Sequence, residues 1–423
     1  MSGIVRKFGQ TVGRNIEKHP ERSLRLLKTG YALSELQMRY FPEKGLLPSQ
    51  IYASAVSTAY IRHYLAHPEN SAIVNIFFPC ELLHAAGIKP ECVEGFSCYL
   101  TGACCERYFI DYIENAGMPK TLCSYHKALL GAAFSNVFPK PKLLMATTMA
   151  CDANIITFRA LAGFWNIPLF MVDVPSNNDE DSVSYLENQL KEAVSFIEDI
   201  TRKKFSLEKL NEIIMREKRS AGLYGKYLET LSGKFIPNNL TSEMYKMFFT
   251  HILNGTGDAE RYFELLLDDA GKAAAATDRI RILWCHTIPY WQDSMRQILN
   301  NSDRYQLLCM DLNFDSMIEP DETNPFRFLA LKILNNHMNG STVRRVCRIL
   351  DMAKALKADG VVYFNNWGCK KTMGGAGIAE RVLKENGIPV LLLDGDGCDR
   401  KNINDGQMKT RLQAFLELLE ARK

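Results

Sequence analysis

The chain has 423 residues, of which 47% are hydrophobic and 23% are charged, so it can bury a sizeable core in roughly two or three domains. Its formal net charge of +3 and its dispersed basic residues do not favour nucleic acid as a partner. We find neither a secretory signal nor an apolar run near the ~20 residues of a membrane span, and therefore expect a cytoplasmic protein with no membrane partner.

Residues 1–70 are predicted to form a helical N-terminal region, because apolar residues recur there at helical spacing in "ERSLRLLKTGYALSELQMRYF". Residues 71–181 then alternate between strands and helices. "SAIVNIFFP", "ECVEGF", "KLLMATTM" and "IPLFMVDVP" are the predicted strands of this part. The alternation predicts a first α/β half-domain with a parallel, doubly wound sheet.

Residues 182–277 are predicted to be a helical connector, since long periodic segments follow one another without a strand pattern. Residues 278–423 return to alternation, with "RIRILWC", "YQLLCMDLN", "GVVYFNN" and "IPVLLLDGD" as strands, and predict a second α/β half-domain. The predicted fold class is therefore α/β, with two half-domains and helical N-terminal and connecting segments.

The two half-domains show a weak internal repeat. In each, a cysteine follows a strand (Cys151 and Cys369), a helix comes next, and the following strand opens with Ile-Pro and closes on an aspartate (Asp173 and Asp394). A milder parallel joins the segments around Cys80 and Cys285. The repeat predicts two halves of similar structure.

Twelve cysteines in a chain expected to be cytoplasmic do not indicate a disulfide framework, and no CxxC pair indicates a zinc ribbon. Five of them fall at predicted strand ends or at the starts of helices, namely Cys80, Cys123, Cys151, Cys285 and Cys369. Ligands of doubly wound sheets lie at the carboxyl ends of strands, and helix N-termini favour thiolates. The set therefore suits a soft metal or an iron–sulfur cluster, the alternative being thiols that pack in the core.

The other cysteines divide into two groups. Cys104 and Cys105 begin a predicted helix, and at most one of these neighbours is expected to be a ligand. The remaining five are interpreted as structural: Cys92, Cys98, Cys309, Cys347 and Cys398.

A glycine-rich turn, "CKKTMGGAGIAE", follows Cys369 and leads into a helix. The backbone N–H groups of Gly374, Gly375 and Gly377 would be able to contact a phosphate or the sulfur atoms of a cluster. The alternative is a plain turn before a helix, since the segment matches neither GxGxxG nor a P-loop.

Several of these stretches together resemble the 2-hydroxyacyl-CoA dehydratase and benzoyl-CoA reductase family, which includes the double-cubane cluster relatives. They are "FFPCELLHAAGIKPE", "LCSYHKALLG", "TTMACDANIITFRAL", "IPLFMVDVP", "WGCKK" and the closing "IPVLLLDGDGCDRKNINDGQMKTRLQAFLELL". Their order and rough spacing fit the family from about residue 72 onward. The resemblance implies two flavodoxin-like parts with an iron–sulfur cluster between them.

The resemblance further implies that Cys80, Cys123, Cys151 and Cys369 hold the cluster, with Cys285, Cys104 and Cys105 as weaker candidates. It implies low-potential one-electron transfer to an acyl-CoA substrate, a second homologous subunit, and a separate ATP-hydrolysing iron–sulfur activator. In the dehydratases of this family, one electron converts a 2-hydroxyacyl-CoA into a ketyl radical, which allows hydroxide to leave.

We therefore expect the iron–sulfur subunit of an enzyme of the dehydratase or reductase type, with a [4Fe–4S] cluster. One alternative is a homodimeric reductase of small molecules, which carries a double-cubane [8Fe–9S] cluster and uses an ATP-dependent activator. A second alternative is a non-catalytic scaffold that retains the fold. The sequence does not identify the substrate, a general acid or base, or the residues that contact CoA.

Overall fold

The computed structural model describes residues 3–315, 317 and 322–423 and shows two four-stranded parallel sheets joined by helices. The first part contains α1 (Gly3–Gly13), α2 (Pro20–Tyr40), α3 (Pro48–Ala66), β1 (Ser71–Val74), α4 (Glu81–Ala85), β2 (Lys89–Cys92), α5 (Val93–Gly102), α6 (Glu106–Asn115), α7 (Ser124–Phe134), β3 (Leu143–Thr147), α8 (Asp152–Trp165) and β4 (Leu169–Val172).

The middle of the chain is mainly helical, as the sequence predicts. It contains α9 (Glu180–Thr201), α10 (Leu207–Leu231), β5 (Lys234–Phe235), α11 (Leu240–Met247), a π-helical turn (Phe248–Ile252), α12 (Gly257–Ala273) and β6 (Ala275–Ala276). The short antiparallel pair of β5 and β6 was not predicted, because two residues are too few to show strand periodicity.

The last part carries the second sheet. It contains β7 (Ile280–Cys285), α13 (Asp293–Leu299), β8 (Tyr305–Met310), α14 (Pro325–Asn335), α15 (Thr342–Ala355), β9 (Gly360–Asn366), α16 (Lys370–Met373), α17 (Ala376–Glu385), β10 (Val390–Gly395) and α18 (Asp405–Arg422). Short 3-10 turns lie at Pro68–Asn70, Asp311–Asn313 and Arg400–Asn402.

The two sheets have the same topology. The strand order is β2-β1-β3-β4 in the first sheet and β10-β9-β7-β8 in the second. In both, the first strand of the half lies between the second and the third, and all neighbouring strands are parallel. The predicted fold class is confirmed, and the equal orders are those expected for two related halves.

The central strands are buried on both faces, which explains their apolar composition. Every residue of β3 and β7 is buried, and β9 is buried except at Asn365. Parallel sheets that are covered by helices on both faces require such continuous apolar runs. The edge strand β4 is only half-buried over most of its length.

One predicted strand is wrong in part. "ECVEGF" was expected to be a strand throughout, but β2 ends at Cys92 and helix α5 begins at Val93. The Cys92 side chain caps the new helix, because its Sγ accepts a hydrogen bond from the Gly95 N–H at 3.1 Å. This cap places Glu94 in the first turn of a helix rather than in a strand.

The core consists of two apolar clusters. One joins the N-terminal helices to α5, α6, α7 and α8, through residues such as Leu27, Tyr64 and Phe109. The other runs from the first sheet through the connector helices into the second sheet. The division at 1–70, 71–181, 182–277 and 278–423 stays a prediction, and residues 1, 2, 316 and 318–321 lie outside the described part. Among the described helices, none combines the length and the apolar character needed to cross a membrane.

Candidate metal centre

The four cysteines that the family resemblance implies as cluster ligands each occupy the N-cap of a helix. Cys80 precedes α4, Cys123 precedes α7, Cys151 precedes α8 and Cys369 precedes α16. Cys151 and Cys369 follow the third strand of their respective sheets, and so hold equivalent positions in the two halves. Free N–H groups in the first turn of a helix stabilise negative charge, which favours the metal-binding thiolate.

Three of these cysteines come together in space. The Cys123 thiol interacts electrostatically with both Cys151 and Cys369, and Cys151 interacts with Cys369. The loop after β9 packs directly on the start of α7, since a Cβ added to Gly368 would lie 2.7 Å from the Cys123 Cα. The Asn366 side-chain amide lies 3.9 Å from the Cys123 Sγ. Both halves thus contribute to one set of neighbouring thiols, which we call the cysteine trio (Cys123, Cys151 and Cys369).

A cavity of about 220 Å³ adjoins the trio. It is lined by the segments that precede α7, α8 and α16, and its wall includes Cys151, Cys369, Lys370 and Lys371. The Lys370 ammonium lies 4.0 Å from the Asp152 carboxylate at the exposed rim. The cavity gives a bound group space beside the sulfur atoms.

The pKa values show how these thiols affect one another. Burial and then the neighbouring thiols raise the pKa of Cys123, and burial followed by Cys369 raises the pKa of Cys151 to about 12. Burial would also raise the pKa of Cys369, but His286 and Thr372 outweigh it and lower that pKa to about 6. A cationic metal centre between the thiols would relieve their mutual repulsion.

The donor type of the trio is that of iron–sulfur clusters, which are held by cysteine thiolates. Three thiols at helix N-termini beside a cavity can supply such ligands. Among the described residues, no group of three or more His, Cys, Asp or Glu side chains is already arranged to hold one metal ion.

The residue of the β7 end that interacts with the trio is His286, and not its neighbour Cys285. Cys285 is the last residue of β7 and is fully buried, with Asp311 and Arg345 among its electrostatic partners. His286 follows it with a positive φ of 75°, and its N–H donates to the Asp311 Oδ1 at 2.7 Å. The His286 side chain interacts electrostatically with Cys369 and forms a hydrogen bond with its thiol. The sequence analysis did not identify His286.

Cys80 is buried at the start of α4. Its electrostatic partners there are Glu81, Lys332 and Glu91. Its role as a fourth ligand stays a prediction.

Cys104 and Cys105 lie at the junction of α5 and α6. Cys104, whose φ is +57°, lines a separate cavity of about 530 Å³ together with Glu106 and Arg400. Cys105 is fully buried and belongs to the N-terminal core cluster. Their roles as ligands stay predictions.

The three glycines of the predicted turn lie at the junction of α16 and α17. Gly374 ends α16 and Gly375 caps α17. A Cβ on Gly375 would lie 2.7 Å from the Thr342 Cγ2 and 3.1 Å from the Tyr363 hydroxyl, so close packing requires a small residue there. Gly377 faces open space. Contact of these glycines with a cluster or a phosphate stays a prediction.

Glu94 is a further candidate that sequence reasoning missed. It lies in the first turn of α5, interacts electrostatically with Cys151, and is near His251. Burial raises the pKa of its carboxyl to about 7, and its Oε2 has no hydrogen-bond partner among the described residues. An acid in the first turn of a helix is common, so the sequence carried no specific signal for it.

Known proteins similar to this chain are enzymes of one type. The (R)-phenyllactyl-CoA dehydratase alpha subunit of Clostridium sporogenes is 23% identical over 82% of this chain and 88% of its own length. The beta subunit of the same enzyme is also 23% identical, over 85% of this chain and 95% of its own length. The (R)-2-hydroxyglutaryl-CoA dehydratase alpha subunit of Acidaminococcus fermentans is 27% identical over 67% of this chain and 61% of its own.

The match to a protein family covers most of the chain. The model of the family described as "2-hydroxyglutaryl-CoA dehydratase, D-component" matches residues 75–419, which include the second sheet, the first sheet except β1, and the whole cysteine trio. This match confirms the resemblance that the motifs indicated. The chain therefore belongs to the 2-hydroxyglutaryl-CoA dehydratase D-component family.

Proposed function

We propose that the chain is the iron–sulfur subunit of a 2-hydroxyacyl-CoA dehydratase, with Cys123, Cys151 and Cys369 as cluster ligands. The observation that carries the proposal is the convergence of three helix-capping thiols from both halves beside a cavity of about 220 Å³. The similar proteins, which are dehydratase subunits, support the same activity.

In this proposal the chain supplies the thiolates and the electrostatic environment of the cluster. The N-termini of α7 and α8 favour the charged thiolates, and His286 and Thr372 lower the pKa of Cys369 to about 6. The cluster, when bound, supplies one-electron transfer at low potential. Three thiolates leave one iron of a cubane without a protein sulfur, unless Cys80 is the fourth ligand as the sequence predicts.

Glu94 is the group that we propose to hold and move a proton. Dehydration removes one proton and one hydroxide from the substrate, and so needs an acid–base group that is not exposed to bulk water. The Glu94 carboxyl is buried, its pKa is raised to about 7, and its free Oε2 lies in the part of α5 that interacts with Cys151. A pKa near the working pH is the value that suits such a group.

The proposal includes two partners. Because similar proteins comprise both alpha and beta subunits, we propose that a second homologous subunit completes the enzyme. A separate ATP-hydrolysing iron–sulfur activator would supply the electron. We also propose that the assembly is cytoplasmic.

The test is dehydration of a 2-hydroxyacyl-CoA by the complex purified without oxygen and supplied with its activator. Glu94→Gln should retain its iron and lose about a hundred-fold or more in turnover, the usual contribution of general acid–base catalysis. Glu91→Gln is the matched control, since Glu91 is also buried with a raised pKa but lies before α5, and it should keep its activity.

Two outcomes would contradict parts of the proposal. Full activity of Glu94→Gln would remove Glu94 from proton transfer. An iron-loaded, activated complex that dehydrates no 2-hydroxyacyl-CoA would refute the proposed function itself.

A further inference from the structure

We propose that an apolar cavity between α5, α11 and the π-helical turn binds the side chain of the acyl group, so that the substrate carries an uncharged, apolar chain. This inference rests on the proposed function and deepens it, because it names the class of acyl-CoA.

The lining of this cavity is almost wholly apolar. Met244, Met247, Phe248 and Ile252 form one side, and the rings of Tyr99 and Tyr290 contribute to the other. Among the described residues that line it, none carries a charged side chain. Such a surface favours hydrocarbon groups and offers no counter-ion to an anion.

The cavity lies next to the reacting part of the proposed site. Gly95 forms part of its wall, and the preceding residue, Glu94, interacts electrostatically with Cys151. Cys98, another wall residue, interacts electrostatically with Tyr125, which lies two residues after Cys123. The cavity wall therefore includes the sequence neighbour of Glu94 and a residue that interacts with the first turn of α7.

A second, smaller cavity continues the same region. Ile76 lines both cavities, and the smaller one also contains Met149, which lies two residues before Cys151. The smaller cavity is polar, with Glu81, His251 and Lys332 in its wall. The apolar lining therefore belongs to the larger cavity, which is the one that we assign to the acyl side chain.

The size and charge of the cavity exclude two kinds of acyl chain. A terminal carboxylate in this cavity would be buried among lining residues that include no cation, and an unpaired buried charge is strongly unfavourable. A single methyl group would leave most of the volume, about 100 Å³, empty. For comparison, an engineered apolar cavity of about 150 Å³ takes up benzene, so a branched alkyl group or a small ring is the expected occupant.

The experiment is calorimetric titration of the complex, purified without oxygen, with three CoA thioesters that lack the 2-hydroxyl group. Isocaproyl-CoA carries a branched apolar chain, glutaryl-CoA a carboxylate and propionyl-CoA a short chain. Isocaproyl-CoA should bind at least about ten-fold more tightly than either of the others, the range that apolar pockets give for differences of a methylene or more. Equal or tighter binding of glutaryl-CoA would overturn the assignment of this cavity.

Variants test whether this particular cavity is responsible. Thr241 lines it from the first turn of α11, so Thr241→Phe should weaken isocaproyl-CoA about ten-fold or more and leave propionyl-CoA nearly unchanged. Thr410→Phe makes the same change at an exposed position of α18 and should affect neither ligand. Unchanged isocaproyl-CoA binding in a folded Thr241→Phe protein would contradict the inference.

Met244→Ala provides a second variant that does not depend on the first. Removing this lining side chain enlarges the cavity, and octanoyl-CoA should then bind more tightly relative to isocaproyl-CoA. No change in this ratio would count against the assignment. Failure of every thioester to bind the iron-loaded complex would overturn both this inference and the proposed function, whereas tight binding that favours glutaryl-CoA would overturn this inference alone.

Discussion

Cys151 lies between β3 and α8, at the carboxyl edge of the first sheet. Its thiol is half-buried and interacts with Cys369 of the second half, and its Sγ is 3.9 Å from the His126 Nε2. A packing cysteine would have apolar neighbours on all sides. Cys151 instead has a cavity, a second thiol and an imidazole around it, which supports its proposed role as a ligand.

The first prediction compares Cys151 with a cysteine of the core. Cys151→Ser should lose most of the bound iron, because serine is a much poorer ligand for the iron of a cluster. Cys309→Ser is the control, since Cys309 is fully buried in the middle of β8. Iron analysis of both variants after anaerobic purification tests whether Cys151 is a ligand and Cys309 is not. Equal iron contents in the two variants would refute this assignment.

Glu91 gives a prediction about pH. Burial raises the pKa of its carboxyl to about 8, so the folded protein keeps this proton up to that pH while the unfolded chain loses it near pH 4.5. Between these values the folded state binds more protons, and stability falls as pH rises, by up to about 1.4 kcal/mol per unit.

Glu91→Gln removes this loss, because the amide does not titrate. The variant should therefore gain stability relative to the unsubstituted chain as pH rises from about 5 to 8. Urea unfolding at several pH values measures the difference between the two proteins. A difference that does not change with pH would show that Glu91 does not hold its proton in the fold.

At the scale of elements, the loop between β9 and α16 positions the cysteine trio. Gly368 has a φ of +78°, and a Cβ added there would lie 2.7 Å from the Cα and 2.8 Å from the N of Cys123. The loop can therefore approach α7 only if this residue has no side chain. This contact joins the second half to the first beside the trio.

Gly368→Ala should consequently disturb the site. We expect a loss of stability of about 1–2 kcal/mol from the backbone conformation alone, and a fall in iron content because Cys369 moves away from Cys123. Gly377→Ala is the control, since nothing lies within 4 Å of its added Cβ and its position in α17 favours alanine. Denaturant unfolding and iron analysis check both variants, and full iron in Gly368→Ala would contradict the role of the loop.

The elements also show what the sequence could and could not predict. The alternation of buried strands and helices was readable, because parallel strands covered on both faces need long apolar runs. The first turn of α5 could not be predicted, since "ECVEGF" has a strand-like composition. Only the hydrogen bond from the Gly95 N–H to the Cys92 Sγ reveals that a helix starts there. Glu94 was missed for this reason.

Contacts between distant parts of the chain were harder still to predict. The motifs placed Cys123, Cys151 and Cys369 at the starts of helices, but their proximity depends on how the two halves pack. His286 was not predicted either, because its approach to Cys369 depends on a positive φ after β7. No local pattern in the sequence encodes these distances.

At the scale of the whole molecule, one buried lysine joins three parts of the chain. The Lys332 Nζ of α14 donates to the Glu81 Oε1 of α4 at 2.5 Å and to the Glu217 Oε1 of α10 at 2.6 Å. Its pKa is raised by the two carboxylates despite burial, and Lys332 in turn lowers the pKa of Glu81. The first half, the connector and the second half thus share one ionic contact.

Lys332→Met should destabilise the fold by about 3–5 kcal/mol, because it leaves the buried Glu81 carboxylate without its cation. The control is Arg304→Met, which removes an exposed pair with Glu420 and should cost no more than about 1 kcal/mol. Chemical unfolding compares the two variants. Equal losses of stability would show that the buried contact does not hold the three parts together.

The central claim is that the cysteine trio holds an iron–sulfur cluster between the two halves. The most direct measurement is the content of iron and acid-labile sulfide per chain, on protein purified without oxygen. We predict about four of each, the content of one cubane cluster. A content near eight would instead indicate a double cluster, and a folded protein without iron or sulfide, even after anaerobic reconstitution, would contradict the account.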